Sequence, residues 1–284
     1  MEKNYRAELT GVLGDPVDGN PTGVMEEAAY QAAGLNYRYI TMRVLPEHLK
    51  AAFEGIKAVG YKGLNLTMPY KIAIIPWLDE LTEAARIIGA VNTVVEKDGR
   101  YIGENTDGKG FVRALSKKGI SLAGKHVTLL GAGGAARAIA VECALAGADH
   151  ITVVNRTEGR GRELAALIEK KTKSHGDFVP WTPHFAVPAD TDILIQATSV
   201  GLFPDVTAKP DIDYHTIMKD MVCADVVFNP VKSAFLKEAE AQGASIVTGI
   251  GMLVEQGALN FTLWTGKEAP VAVMYDTLAA EFKQ

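Results

Sequence analysis

Short apolar runs alternate with longer stretches of helical spacing along nearly the whole chain. Residues 9–13 read as a strand, 14–23 as a loop rich in Gly, Asp, Pro and Asn, and 24–33 as a helix. Residues 37–44 are strand-like, 46–59 carry helix spacing, and 63–66 form another short strand. The clearest unit comes later: an apolar strand over 126–130, a glycine turn at 131–136, and a helical run over 137–146. Gly147 then stops the helix, and 150–154 is the next strand. Residues 192–196, 221–227 and 245–247 continue the strands, and 252–284 reads as two helices around a loop at 265–270. Such alternation predicts an α/β fold, with parallel sheets covered by helices. Residues 108–251 read as a Rossmann-type, doubly wound parallel sheet, and the segment before them as a separate α/β domain.

Composition fits two ordinary domains. The chain has 284 residues, 48% hydrophobic and 22% charged, which excludes coiled coil, collagen-like repeat and disorder. The 29 Lys and Arg against 34 Asp and Glu give a net charge of −5, with no basic block, so no nucleic-acid partner is expected. No apolar run approaches the roughly 18 residues of a membrane helix, and the amino terminus lacks the core of a signal peptide. Cys143 and Cys223 lie in apolar runs and read as reduced, packed thiols. A cytoplasmic protein with a small-molecule substrate and no membrane partner is the expectation; monomer and homodimer are both open. The six histidines, at 48, 126, 150, 175, 184 and 215, show no ligand spacing, so no metal is expected.

The glycine turn carries the first chemistry. In Gly131-Ala-Gly133-Gly134-Ala135-Ala136, Gly131 permits the tight strand-to-helix turn, and Gly133 lets backbone approach a pyrophosphate. The small Ala136 lets the helix pack on the strand. The helix N-terminus adds N–H donors and a positive dipole end. The end of the next strand selects the cofactor. An NAD site usually has an acidic residue there, whereas this chain has Asn155-Arg156-Thr157, with Arg160 one turn on. Two guanidiniums and a hydroxyl suit a 2′-phosphate, so NADP is expected. NAD stays possible through Glu158, and the two arginines also read as a solvated helix start.

Three polar clusters interrupt the apolar segments of the first domain: Asn65-Leu-Thr67-Met-Pro69-Tyr-Lys71, Gly89-Ala-Val-Asn92-Thr93 and Gly103-Glu-Asn105-Thr106-Asp107-Gly108. Each lies where a strand ends or a loop begins, the place where α/β folds put ligands. An amine, a carboxylate, amides and hydroxyls suit a small polyhydroxylated substrate and proton transfer. Singly, Lys71 reads as readily as a surface lysine, and Asp107 and Asn92 as turn or cap residues. Spacing alone does not bring Lys71 to Asp107.

Taken together, these motifs resemble the shikimate dehydrogenase family, including its quinate/shikimate branch, nearly end to end. Gly14-Asp-Pro16, the three clusters, the glycine turn and Asn155-Arg156-Thr157 all match in order. So do Ala197-Thr198-Ser199-Val-Gly201, Asn229-Pro230 and Gly249-Ile-Gly251-Met252-Leu-Val-Glu-Gln256. The resemblance implies a substrate-binding catalytic domain over 1–107, with 252–284 packing back on it, and an NADP-binding domain over 108–251. It implies Lys71 and Asp107 as catalytic pair, with Lys71 as proton donor and acceptor and Asp107 orienting it. It gives Asn65, Thr67, Asn92 and Gln256 as ring ligands. On the cofactor side it adds Thr198, Val226, Gly249 and Met252 to Gly131, Gly133, Gly134, Ala135, Asn155, Arg156, Thr157 and Arg160. The implied reaction is NADP-dependent oxidation of shikimate or a close cyclic hydroxy acid. Quinate or another cyclic polyol is the alternative, and a non-catalytic NADP-binding regulator is a third reading. Departures from the family pattern cluster at the substrate loop. Asn20 and Thr22 stand where many members have serines that bind the substrate carboxylate. Glu26 stands at a frequent His and is expected to add negative charge near an anion site. Phe228 replaces a frequent Tyr, and Thr248 a frequent Asp.

Overall fold

β1 (Glu8–Gly14) is buried along its last five residues, as a central strand covered on both faces must be. It pairs in parallel with β2 (Tyr37–Arg43) on one side and β3 (Gly63–Leu66) on the other. In this computed structural model, which describes residues 5–282, the chain falls into two units. Residues through Thr106, with those from Gln256 onward, form one, and Asp107–Glu255 the other.

In the first unit, α1 (Thr22–Ala32) and α2 (Leu49–Val59) follow β1 and β2. α2 is amphipathic in the simplest way: Leu49, Phe53 and Ile56 share one buried stripe. Burying each such side chain stabilises the fold by roughly 1.5–3 kcal/mol. Beyond β3 come α3 (Tyr70–Ala73), β4 (Glu80–Leu81), α4 (Glu83–Ile88), β5 (Thr93–Lys97) and β6 (Arg100–Glu104). The sheet runs β2-β1-β3-β5-β6-β4. It is not wholly parallel, as strand–helix alternation leads one to expect. β5 is antiparallel to both β3 and β6, and Asp98-Gly99 makes the two-residue hairpin turn between β5 and β6. Both turn residues have positive φ, 52° and 77°, the geometry that an Asp-Gly pair favours.

The second unit contains α5 (Thr106–Lys117), β7 (His126–Leu130), α6 (Gly134–Leu145), β8 (His150–Asn155), α7 (Glu158–Lys171) and β9 (His175–Pro180). Then follow β10 (Phe185–Ala186), β11 (Ile193–Gln196), β12 (Ile212–Asp213), β13 (Val222–Asp225), α8 (Ala234–Ala241) and β14 (Ser245–Val247). Its six-stranded sheet, ordered β14-β13-β11-β7-β8-β9, is parallel throughout. The strand order reverses between β7 and β11, and that switch point is where doubly wound sheets bind ligands. α6 starts at Gly134, three residues earlier than its apolar pattern suggests, because the glycine turn is already helical there. Cys143 and Cys223 are buried free thiols.

α9 (Gly249–Thr265) and α10 (Val271–Glu281) complete the chain. From Gln256 on they belong to the first unit, where the Trp264 indole donates to Val94 O at 3.0 Å. Among the described residues, no helix is long and apolar enough to cross a membrane.

Candidate active site

Two of the three polar clusters and the third as far as Thr106, far apart in sequence, meet in the first unit. Backbone bonds join them: Val91 N donates to Lys71 O at 2.7 Å and Leu66 N to Asn92 O at 2.8 Å. Asn105 Nδ2 donates to Ala90 O at 3.1 Å. Thr106 N donates to Asn92 Oδ1 at 2.7 Å, capping the start of α5. Thr67 sits in the turn after β3 and Lys71 in α3, both partly buried, with Thr67 N held on Leu13 O at 3.0 Å.

Asn65 is buried at the end of β3, and its bonds decide what it can offer. Both amide hydrogens are used, on Asn92 O (3.2 Å) and Thr93 Oγ1 (3.1 Å). Its Oδ1 receives the Tyr39 hydroxyl at 2.8 Å. The second lone pair of Oδ1 is what is left, an acceptor suited to a substrate hydroxyl. Thr93 and Thr106 are fully buried between Asn65, Asn92 and Asn260. Asn260, which the sequence reading missed, is joined to Gln256 at 3.2 Å. Its only sequence signal is its position one helical turn after Gln256.

At the substrate loop the side chains are arranged differently from the expectation. Asn20 Oδ1 accepts from Thr22 N at 2.9 Å, so this oxygen is spent on the first turn of α1. Thr22 is buried at the same turn. Glu26, expected to add negative charge, lies where burial disfavours that charge. It is completely buried, and neither carboxyl oxygen completes a hydrogen bond. Burial pushes its pKa well above the ordinary carboxylate range, tempered by the nearby Tyr30 hydroxyl. That hydroxyl is engaged with Thr10 Oγ1 at 2.9 Å. Burial thus disfavours the charged form of Glu26 at this end of the loop.

The second unit holds the other expected set. Gly131, between β7 and α6, has φ of +114°, and a Cβ there would come within 2.9 Å of Thr198 Cγ2. At Gly133 and Gly134 a Cβ would meet nothing within 4 Å. The turn is thus a bare cradle at the N-terminus of a twelve-residue helix, room and donors that fit a pyrophosphate. Ala135 follows in the first turn of α6. Asn155 Nδ2 donates to Thr157 O at 2.8 Å, holding the loop after β8. Arg156, Thr157 and Arg160 are exposed there, while Glu158 is paired with Arg162 at 2.7 Å. Arg156 and Thr198 line a cavity of about 320 Å³ with Trp181, Thr182 and Lys209, of which Trp181, Thr182 and Lys209 escaped the sequence reading. Val226 and Met252 are partly buried, and Gly249 packs so closely on Val227 that a Cβ would lie 2.3 Å from its carbonyl. Asp107 opens this unit, in the first turn of α5. Among the described residues, no three His, Cys, Asp or Glu side chains converge as a metal-ligand set.

A bare glycine cradle at the switch point of a doubly wound sheet, in a chain with a second α/β unit rich in amides and hydroxyls, defines a nicotinamide-dinucleotide oxidoreductase. Comparison with known proteins narrows the class. Residues 12–94 match the shikimate dehydrogenase substrate-binding domain, 113–203 the shikimate/quinate 5-dehydrogenase family, and 249–279 the shikimate 5-dehydrogenase C-terminal domain. The chain belongs to the shikimate dehydrogenase family and is an NAD(P)-dependent oxidoreductase of shikimate/quinate dehydrogenase type. It is 40% identical to the NADP(+) shikimate dehydrogenase of Desulforamulus reducens, over 97% of this chain and 96% of that one. Among solved structures it is similar to ligand-free 5-ketofructose reductase of Gluconobacter sp. strain CHM43. That pair shares 47% identity and a TM-score of 0.96, over 98% of this chain and 100% of the other. It is also similar to shikimate 5-dehydrogenase of Listeria monocytogenes in complex with shikimate and NAD, at 34% identity and TM-score 0.93 over 97% of each.

Proposed function

We propose that the protein interconverts a secondary alcohol and its ketone on a small polyhydroxylated substrate, with NADP as cofactor and NAD as the weaker one. Shikimate and 3-dehydroshikimate are the first pair to consider, since the curated relatives at about 40% identity carry that activity in their names. In this reading 1–107 with 252–284 binds the substrate and 108–251 the cofactor. The observation that carries it is the buried amide and hydroxyl network around Asn65, Asn92 and Gln256, in the same unit as Lys71. Bound cofactor supplies or takes the hydride. Lys71 gives a proton to the alkoxide oxygen in the ketone direction and takes one back in the other. Asp107 orients that ammonium. Asn65 accepts from a ring hydroxyl, Thr67 and Asn92 fix the ring's position, and Gln256 closes on it. Arg156, Thr157 and Arg160 hold the 2′-phosphate through charge-assisted bonds.

A second reading concerns the substrate's far end. Asn20 Oδ1 is already used within α1 and Glu26 is buried without a cation, a combination that suits a neutral polyol better than a carboxylate. The similarity to 5-ketofructose reductase points the same way. A panel of shikimate, quinate, fructose, 3-dehydroshikimate and 5-ketofructose, with both cofactors, tests the two. Higher kcat/KM on the cyclic acids supports shikimate chemistry; higher kcat/KM on the neutral sugars supports the second reading. No turnover of any member overturns both.

A further inference from the structure

The network beneath Gln256 has a direction that can be followed donor by donor. Asn65 Nδ2 donates to Thr93 Oγ1 and Asn92 Nδ2 to Thr106 Oγ1, each at 3.1 Å. Each threonine hydroxyl therefore accepts from an amide and has a single proton left to give. Asn260 Oδ1 is the nearest acceptor for it, ahead of the other threonine at 3.0 Å and, for Thr106, of Asn92 Oδ1 at 3.2 Å. Both hydroxyls lie 2.8 Å from the same atom, Asn260 Oδ1, a carbonyl oxygen with two lone pairs. With its oxygen turned to the threonines, Asn260 has its Nδ2 turned to Gln256, where it donates to Oε1 at 3.2 Å. Asn260 is fully buried and Gln256 nearly so, four residues apart on α9, so no solvent competes for these bonds.

We propose that Asn260 is a positioning residue: by occupying Gln256 Oε1 it fixes the Gln256 amide with its NH2 group toward the substrate. The site then offers a donor at Gln256 and an acceptor at Asn65, so the substrate must carry a hydroxyl or carbonyl oxygen for the first and an O–H for the second. The inference rests on Gln256 being a substrate ligand, as proposed above. A carboxylate at position 260 would still accept from both threonines but could give no proton to Oε1. Gln256 would then turn over, donate its own NH2 to residue 260, and show the substrate an oxygen.

The test is a double-mutant cycle in the full chain, read by steady-state kinetics with NADPH and, separately, 3-dehydroshikimate and 5-ketofructose. In the wild-type background, Asn260→Asp is expected to raise KM for the ketone that turns over by roughly tenfold or more, with kcat changed less than about threefold. In a Gln256→Ala background the same change is expected to leave KM within about twofold, because the group it orients is gone. A general loss of folding would move both backgrounds alike. An equal rise in both, or no rise in the wild type while Gln256→Ala raises KM, overturns the positioning role. If Gln256→Ala itself leaves KM unmoved, the ligand role fails first and the inference with it. Should Asn260→Asp not fold, Asn260→Ala deletes the same donor without adding charge, and the cycle is read in the same way.

Discussion

At the residue scale, the chemistry depends on which atoms are already committed. Asn65 is a family position readable in the sequence, yet its role as acceptor follows only from where its two hydrogens go. Glu26 is the reverse case: its residue type suggests charge, and its burial disfavours it. Lys71 combines a partly buried side chain with a backbone carbonyl tied to Val91, one residue before Asn92. If it moves the proton, Lys71→Ala lowers kcat by about 10²–10⁴-fold. Fluorescence titration of the variant with NADPH is expected to give the wild-type Kd. A kcat at half the wild-type value excludes the role.

At the element scale, the proposed cofactor side is one contiguous strand–turn–helix–strand, β7 through β8, and the proposed selector is the loop that follows. Glu158, the residue that argued for NAD, is exposed but paired with Arg162 along α7, beside the exposed Arg156, Thr157 and Arg160 at the strand end. A charge-assisted bond contributes on the order of 1.5–3 kcal/mol, or about ten- to 150-fold in affinity. Replacing Arg156 and Arg160 together by Ala is therefore expected to weaken NADP by at least about tenfold and to leave NAD within about twofold. Calorimetric titration with both nucleotides checks this, and equal losses for the two would exclude a 2′-phosphate contact.

At the scale of the whole molecule, buried carboxyls in both units set the pH dependence of stability. Burial pushes Asp225 up to about 7 from 3.8, against the bonds it accepts from Ser233 and from Val227 N. Glu26 is shifted in the same direction. Such groups keep their protons in the folded state after the unfolded chain has released them, so stability falls as pH rises from about 4 through about 7. Glu96 acts oppositely. The Gly99 N–H, and then Lys62, hold it below its ordinary value of 4.5, so its contribution is present above that pH and is lost as pH falls below it. Thermal unfolding is accordingly expected to give a higher Tm near about pH 5 than near about pH 8. Asp225→Asn should flatten the alkaline limb, and a profile unchanged by it would remove Asp225 as the cause.

The amino-acid sequence alone determined the features whose causes lie within a few dozen contiguous residues. The glycine turn, the parallel strands around it, the basic strand end and the closing helix pair are of this kind, because each is fixed by local periodicity or by one backbone conformation. The β5–β6 hairpin belongs here too, since Asp98-Gly99 announced it and was passed over. Tertiary structure decided what depends on distant partners. Thr106 and Asn260 are 154 residues apart, and no spacing rule joins them, so neither the orientation of Gln256 nor the acceptor role of Asn65 could be read in advance. The upward shift of Glu26 is likewise set by the side chains that exclude water from it, and the wall of Trp181 and Lys209 by a loop folding back beside Arg156. Local conformation is written in short stretches of sequence, whereas desolvation and hydrogen-bond direction exist only once the chain has closed around a site.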